Sequence, residues 1–333
     1  MIELIKKLTM TSGGAGNEKK VSKVISEMMT PNVDEIKEDS MGNIICIKKG
    51  TGKRIMLAAH MDEVGIIITH IEDNGFLRFS ALGGINHFCS LYQKVLFENG
   101  LIGVVGYEED IEEIKNVKLS NLYIDVGAKS KQEIEDKVNI GDAAVFEGAF
   151  FNEGNRIVSK ALDDRVGCAI LVELSKRLKN CDSEIIYTFT TQEELGLRGA
   201  KTAGYSVNPD MAIVIDVTAP GDTPKAKPSP IRCGEGPIIK IMDRASIINP
   251  KMKDMIVDTA EKEAIPYQLK VSNIGGTDAG AISLSREGIP TASLAIPCRY
   301  LHTPVETIDL TDVNNMVKLL ETVVRSVKDS EIC

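Results

Sequence analysis

Two histidines and a set of carboxylates carry the chemistry legible in this chain. They are His60-x-Asp62, the pair Asp163-Asp164, the pair Glu193-Glu194, Asp216 and His302. Imidazole nitrogen and carboxylate oxygen are the donors that hold divalent metal ions. Two His and three carboxylates, namely His60, Asp163, Glu194, Asp216 and His302, exceed what one tetrahedral zinc needs. They suit two ions that share one bridging carboxylate at a separation of about 3.5–4 Å. Asp163 is the natural bridge, with His60 and Asp216 serving one ion and His302 and Glu194 the other. Open positions then remain for a water and for the substrate. Glu193 is adjacent to a ligand and not needed as one. It is the candidate general base, taking a proton from the water between the ions and returning it to a leaving amine. Asp62, two residues from His60, is placed to orient that imidazole.

Taken singly, each group has an ordinary reading. An Asp ahead of a helix is usually a cap, a Glu pair is usually solvated, and a lone His is often merely hydrogen-bonded. The joint pattern outweighs these readings. The chain has only four His, and His60 and His302 fall at strand ends beside carboxylates, whereas His70 and His87 do not.

The elements that must position these groups follow from hydrophobic periodicity. Asn43 to Lys48 and Arg54 to Ala59 read as short apolar strands, the second running into His60. The helical spacing of Val21, Val24, Ile25 and Met28 precedes them. After Asp163-Asp164, Val166, Ile170, Leu174 and Leu178 recur every four residues and predict a helix. Strands are expected at Glu184 to Thr191, Met211 to Ile215, Tyr267 to Val271 and Thr291 to Ile296. Helices are expected near Lys251 to Lys262, after Thr277-Asp278 and from about Asp312. Strand alternating with helix predicts an α/β catalytic domain, residues 1–64 and 159–333, with a mostly parallel sheet covered by helices on both faces. Between them, residues 65–158 carry short strands broken by Gly and Asn and read as an inserted β-rich domain. In open α/β sheets ligands bind beyond the C-terminal ends of the strands, where four of the five clusters fall. The fifth, Asp163-Asp164, sits ahead of a helix, whose N-terminal N–H groups favour an ionised carboxylate.

Composition bounds the rest. At 333 residues two cores are expected. A net charge of -9 argues against a nucleic-acid partner, because that affinity rests on Lys and Arg neutralising phosphates. No apolar run approaches the roughly 18 residues of a membrane span, so neither signal peptide nor membrane anchor is expected. Cys46, Cys89, Cys168, Cys181, Cys233, Cys298 and Cys333 are scattered and odd in number, which fits reduced thiols in a cytoplasmic protein, each read as buried filler. The loop Thr218 to Gly236, with Pro220, Pro224, Pro228, Pro230, Lys225, Lys227 and Arg232, follows a ligand and could shape a substrate pocket.

Several segments look familiar: Ala58-Ala-His-Met-Asp-Glu-Val-Gly65, Ala161-Leu-Asp-Asp-Arg-Val-Gly167, Thr191-Gln-Glu-Glu-Leu-Gly-Leu-Arg-Gly199, Ile215-Asp-Val-Thr218, Gly275-Gly-Thr-Asp-Ala-Gly280 and Arg299-Tyr-Leu-His-Thr-Pro-Val-Glu306. In this order, over nearly the whole chain, they resemble family 42 of the metallopeptidases. These are the tetrahedral aminopeptidases, glutamyl and deblocking enzymes among them, and some members have been labelled endoglucanases. The resemblance implies an exopeptidase that removes N-terminal residues from peptides with two divalent ions, zinc or cobalt, manganese being the alternative. It places the ligands on the same His60, Asp163, Glu194, Asp216 and His302, with Glu193 as base and Asp62 as support. It also implies a barrel-like dimerisation domain near residues 65–158 and dimers assembling into a hollow dodecamer. The rival readings are an amidohydrolase or deacylase on the same scaffold, a metal-dependent scaffold without activity, and an endoglucanase. The last is disfavoured by the absence of Trp, the commonest sugar-stacking residue.

Overall fold

The computed structural model describes residues 1–227 and 229–327; Pro228 and Cys333 lie outside the described residues. The chain enters through helices α1 (Ile2–Thr9) and α2 (Lys19–Met29) and strands β1 (Glu35–Glu38), β2 (Ile44–Lys48) and β3 (Arg54–His60). Strands β4 (Gly65–Ile71), β5 (Leu77–Leu82), β6 (Lys94–Phe97), β7 (Ile102–Tyr107), β8 (Leu122–Asp125) and β9 (Ala143–Phe146) follow, with the short helices α3 (His87–Ser90) and α4 (Lys131–Ile134). They close a barrel in the order β4-β5-β8-β7-β6-β9. Its inside is filled by alternate residues such as Ile66 and Ile68, Leu77 and Phe79, and Val95 and Phe97, the period-two signature of a sheet with one apolar face.

The return runs through β10 (Phe151–Glu153), β11 (Arg156–Ser159) and α5 (Leu162–Arg177). Then come β12 (Glu184–Thr190), α6 (Arg198–Val207), β13 (Met211–Thr218), β14 (Ile238–Met242), α7 (Pro250–Lys262), β15 (Gln268–Val271), α8 (Asp278–Ser283), β16 (Thr291–Pro297), β17 (Glu306–Asp309) and α9 (Leu310–Ser326). Eight strands form the main sheet in the order β1-β2-β12-β3-β13-β16-β14-β15, and β17 joins β10 and β11 in a small separate sheet.

The main sheet is mixed, so the expected mostly parallel sheet is found only in part. Its centre, β12-β3-β13-β16, is parallel, as is the β14-β15 edge. The hairpin β1-β2, the β2-β12 pair and the β14-β16 pair are antiparallel. A tight hairpin turns the chain back at one side, and at the other β14 enters beside β16 from the opposite end. Neither reversal leaves a mark in the apolar pattern of the strand itself. Helices cover both faces. The larger core lies under α1, α2, α5, α7 and α9, and the smaller one under α6 and α8. Helix α5 is buried on all sides from Val166 to Val172, so it runs through the core rather than over it.

Of the cysteines, Cys46, Cys168 and Cys298 are buried as expected, but Cys89, Cys181 and Cys233 are only partly covered. Among the described residues no helix is long and apolar enough to cross a membrane.

Candidate metal centre

The parallel centre of the sheet brings the predicted groups to one edge. His60 is the last residue of β3 and pairs in register with Thr190, the last residue of β12, so the Glu193-Glu194 turn emerges directly beside it. Asp216 lies inside β13 rather than beyond its end, two residues short of Thr218. Asp163 and Asp164 open α5 with non-helical backbone angles, joined by a cis peptide. His302 reaches back from the loop after β16.

Asp163 is the centre of the cluster. Its Oδ1 lies 2.9 Å from His60 Nε2 and its Oδ2 lies 3.3 Å from His302 Nε2. His302 Nε2 is also 3.1 Å from Glu194 Oε1. Donor atoms of His60, Asp163 and Glu194 lie within 4.8 Å of one another, and so do those of His60, Asp164 and Asp216. Asp164 was not among the expected ligands. It is fully buried, its Oδ1 accepts from Gly167 N–H at 3.1 Å, and its Oδ2 has no hydrogen-bond partner among the described residues.

Asp62 is fully buried and clamps the turn: Oδ1 accepts from Glu193 N–H at 3.0 Å and Oδ2 from Glu194 N–H at 3.1 Å. His60 Nδ1 faces the Asp62 carbonyl at 3.2 Å and Asp62 Oδ1 at 3.4 Å. Asp62 therefore supports the imidazole and the Glu pair together. Ala161 (φ 53°), Gln192 (φ 52°) and His302 (φ 60°), each at or two residues from a candidate ligand, hold left-handed backbone. That conformation costs about 1–3 kcal/mol at a non-glycine residue and persists only where neighbours enforce it. Glu18 Oε1 does so at Gln192 N–H, 3.2 Å away, and Glu306 Oε1 at His302 N–H, 2.7 Å away.

The electrostatics are those of a cation site. Burial raises the carboxyls of Asp164, Glu193 and Glu194, and pushes Asp216 up to about 7. Burial acts on Asp163 in the same sense, but the hydrogen bonds of His302 and His60 overcome it and hold this carboxyl below its ordinary range. Burial opposes protonation of His60 and His302, yet the facing carboxylates together outweigh it, Asp163, Asp62 and Glu193 at His60 and Asp163 and Glu194 at His302, so each imidazole is held above its usual range. Of the buried cations nearby, Lys240 has Asp243 at 3.8 Å as its ion-pair partner, and Lys160 and Arg165 pair with Glu63. Buried carboxylate thus exceeds buried positive charge, and nitrogen and oxygen donors of this kind suit divalent metal ions. The residues fit divalent metal.

The cluster forms the floor of a cleft of about 600 Å³, walled by Gly84, Leu197, Thr218, Lys240, Arg244 and Leu301 among others. Its cations are Lys240 and Arg244, not the Lys225, Lys227 and Arg232 of the 218–236 loop. Arg232 instead donates to the carbonyls of Ser229 and Ile231.

A family model described as M42 glutamyl aminopeptidase matches residues 42–319. This chain belongs to that family. A protein of Acetivibrio thermocellus, provisionally named an aminopeptidase, is 50% identical over 96% of this chain and 97% of its own. Among solved structures, aminopeptidase APDkam598 from the archaeon Desulfurococcus kamchatkensis superposes with a TM-score of 0.94 at 42% identity, covering 98% of this chain and 95% of that one. The TET1 peptidase of Pyrococcus horikoshii, which can assemble into a tetrahedron or a large octahedral shell, gives 0.88 at 35% identity, with 98% and 99% covered. The chain is a peptidase of the M42 aminopeptidase family.

Other residues of the site escaped the sequence reading. Glu306 is 2% exposed and accepts from the backbone N–H of both Asp163 and His302. Gly84, from the loop after β5, accepts from His302 Nδ1 at 2.8 Å. Asp278 lies buried behind β12 and accepts from Thr190 Oγ1. Glu306 and Asp278 were visible only as parts of motifs, and nothing local marks Gly84.

Proposed function

We propose that this protein removes N-terminal residues from peptides with two divalent ions, held by Asp163 between them, His60 and Asp216 on one side and His302 and Glu194 on the other. The observation that carries the reading is the position of the Asp163 carboxylate, one oxygen on each imidazole. Asp164 is a further oxygen donor on the His60 and Asp216 side. When bound, the ions supply Lewis-acid polarisation of the scissile carbonyl and activation of a water.

The protein's own groups do the rest. Glu193 lines the cleft and takes the proton of the attacking water, then returns it to the departing amine. Asp62 fixes the backbone of Glu193 and Glu194, so base and ligand keep their spacing. The cleft walls position an N-terminal residue and exclude bulk water. The barrel is the dimerisation domain in this reading, and Phe88, Tyr92, Ile102 and Val104 give it exposed apolar surface. The enzyme works in the cytoplasm as a homo-oligomer built of dimers, up to a dodecamer, whose mass in solution light scattering would report.

The test is metal analysis of the purified protein, removal of metal by a chelator, and assay on aminoacyl anilides and N-blocked peptides after adding zinc, cobalt or manganese. Activity on free N-termini that dies with the chelator and returns with the metal is expected. Activity that survives metal removal, or that acts only on N-blocked substrates, refutes the proposal.

A further inference from the structure

We infer that Glu306 and the main-chain carbonyl of Gly84 form a brace for one of the two metal positions, that of His302 and Glu194, and act as positioning groups there. The inference rests on the two-ion reading above and adds that the two positions are separately supported.

The two imidazoles are held in different ways. His60 sits at the end of a central strand, its side chain 3% exposed, and its Nδ1 is satisfied within its own segment by Asp62. His302 lies in a loop with its side chain 28% exposed and φ 60°, so no strand holds it. One group four residues on and one 218 residues away fix it instead. Glu306 Oε1 accepts from its backbone N–H at 2.7 Å, and Gly84 O lies 2.8 Å from its Nδ1. A carbonyl can only accept, so Nδ1 carries a proton, and Nε2, which faces Asp163 and Glu194, is the nitrogen left to ligate a metal once it gives up its own proton. The second oxygen of Glu306 accepts from Asp163 N–H at 2.9 Å, so one buried carboxylate spaces the bridging ligand against the terminal one.

The barrel side of the brace is built for close approach. A Cβ on Gly84 would meet His302 Nδ1 at 3.0 Å, and one on Gly83 would meet Glu194 Cβ at 3.1 Å and Oε2 at 3.2 Å. Gly83 also holds φ 90°, which a side chain would strain. The loop after β5 is thereby seated on both terminal ligands of one ion, His302 and Glu194. The inserted barrel completes half of the centre.

The test is competitive zinc titration of metal-stripped protein against a chromophoric chelator, for wild type, Gly84→Ala and Glu306→Gln, with melting by circular dichroism alongside. Gly84→Ala adds one methyl on an exposed loop and pushes the ring. Glu306→Gln keeps the volume and leaves one of two backbone donors facing an amide. Gly84→Ala is expected to hold one zinc as wild type does and to bind the second about 10–100-fold more weakly, and Glu306→Gln, which also loosens Asp163, to weaken the second by a similar factor and the first by less. A merely structural role would lower the melting temperature and weaken both ions alike. Equal weakening of both, or no weakening in the folded variants, overturns the brace. Should Glu306→Gln fail to fold, Gly84→Ala decides alone. A wild-type protein that binds fewer than two zinc ions defeats the two-ion reading itself, and the brace with it.

Discussion

Replacing Asp62 by Asn should slow the enzyme without emptying its metal site. The Asp62 carboxylate spends both oxygens on backbone donors, Glu193 N–H at 3.0 Å and Glu194 N–H at 3.1 Å, in a place with no solvent exposure. Asn offers one oxygen and one amide, so in Asp62→Asn one of the two buried N–H groups faces another donor. Leaving a buried donor unmade costs about 1–3 kcal/mol. If that cost falls on holding Glu193 in line, it converts to about a 5- to 150-fold loss of kcat at 1.36 kcal/mol per decade. His60 keeps its orientation, because its Nδ1 also faces the main-chain carbonyl of residue 62 at 3.2 Å, which the substitution spares. The assay is kcat and KM on an aminoacyl anilide at saturating zinc or cobalt, with metal content by mass spectrometry and folding by circular dichroism. Unchanged kcat in a variant that retains both metals would refute the clamp. Loss of metal with unchanged turnover per bound pair would show that Asp62 serves His60 instead.

Glu193→Gln should retain its metal and lose about 10²–10⁴-fold in kcat, the usual contribution of a general base, and near wild-type turnover with metal bound would remove the assignment. Arg165 is fully buried and donates to the carbonyls of Met61, Leu8, Thr11 and Gly13 and to Glu63, tying the N-terminal segment to the end of β3. Arg165→Met leaves Glu63 with less compensation and should destabilise by about 3–5 kcal/mol; an unchanged urea midpoint would refute this. Burial raises the carboxyl of Glu18 from 4.5 to about 7. The folded state therefore holds that proton more tightly than the unfolded chain, so the contribution of Glu18 is fully present below pH 4.5 and is lost as pH rises to about 7. Glu18→Gln should gain stability relative to wild type across that window and hold the gain above it, and a pH-independent difference between their unfolding midpoints would contradict this.

The sequence by itself determined which groups could bind cations and which elements would carry them. The apolar run Ile55 to Ala59 fixes a buried strand, and His60 directly after it is placed at the sheet edge whatever the neighbours are. The Glu193-Glu194 pair follows its own strand in the same way. The break from helical to period-two patterning after Val64 marked the insertion, because the residues that fill a barrel must alternate. Only the tertiary structure decided strand direction at β14, since an apolar strand reads alike in either sense and its neighbour is chosen by where the connections bring it. It likewise decided that Asp216 lies within β13, that Asp164 turns inward beside it, and that Lys240 and Arg244, rather than the Lys225 and Lys227 loop, line the cleft. Gly84 and His302 are 218 residues apart, and Glu306 and Asp163 are 143 apart. A backbone carbonyl carries no side-chain signal, and a lone Glu opening a strand looks like a surface charge. Their roles exist only once folding has closed the barrel and the sheet against each other and set the register between them.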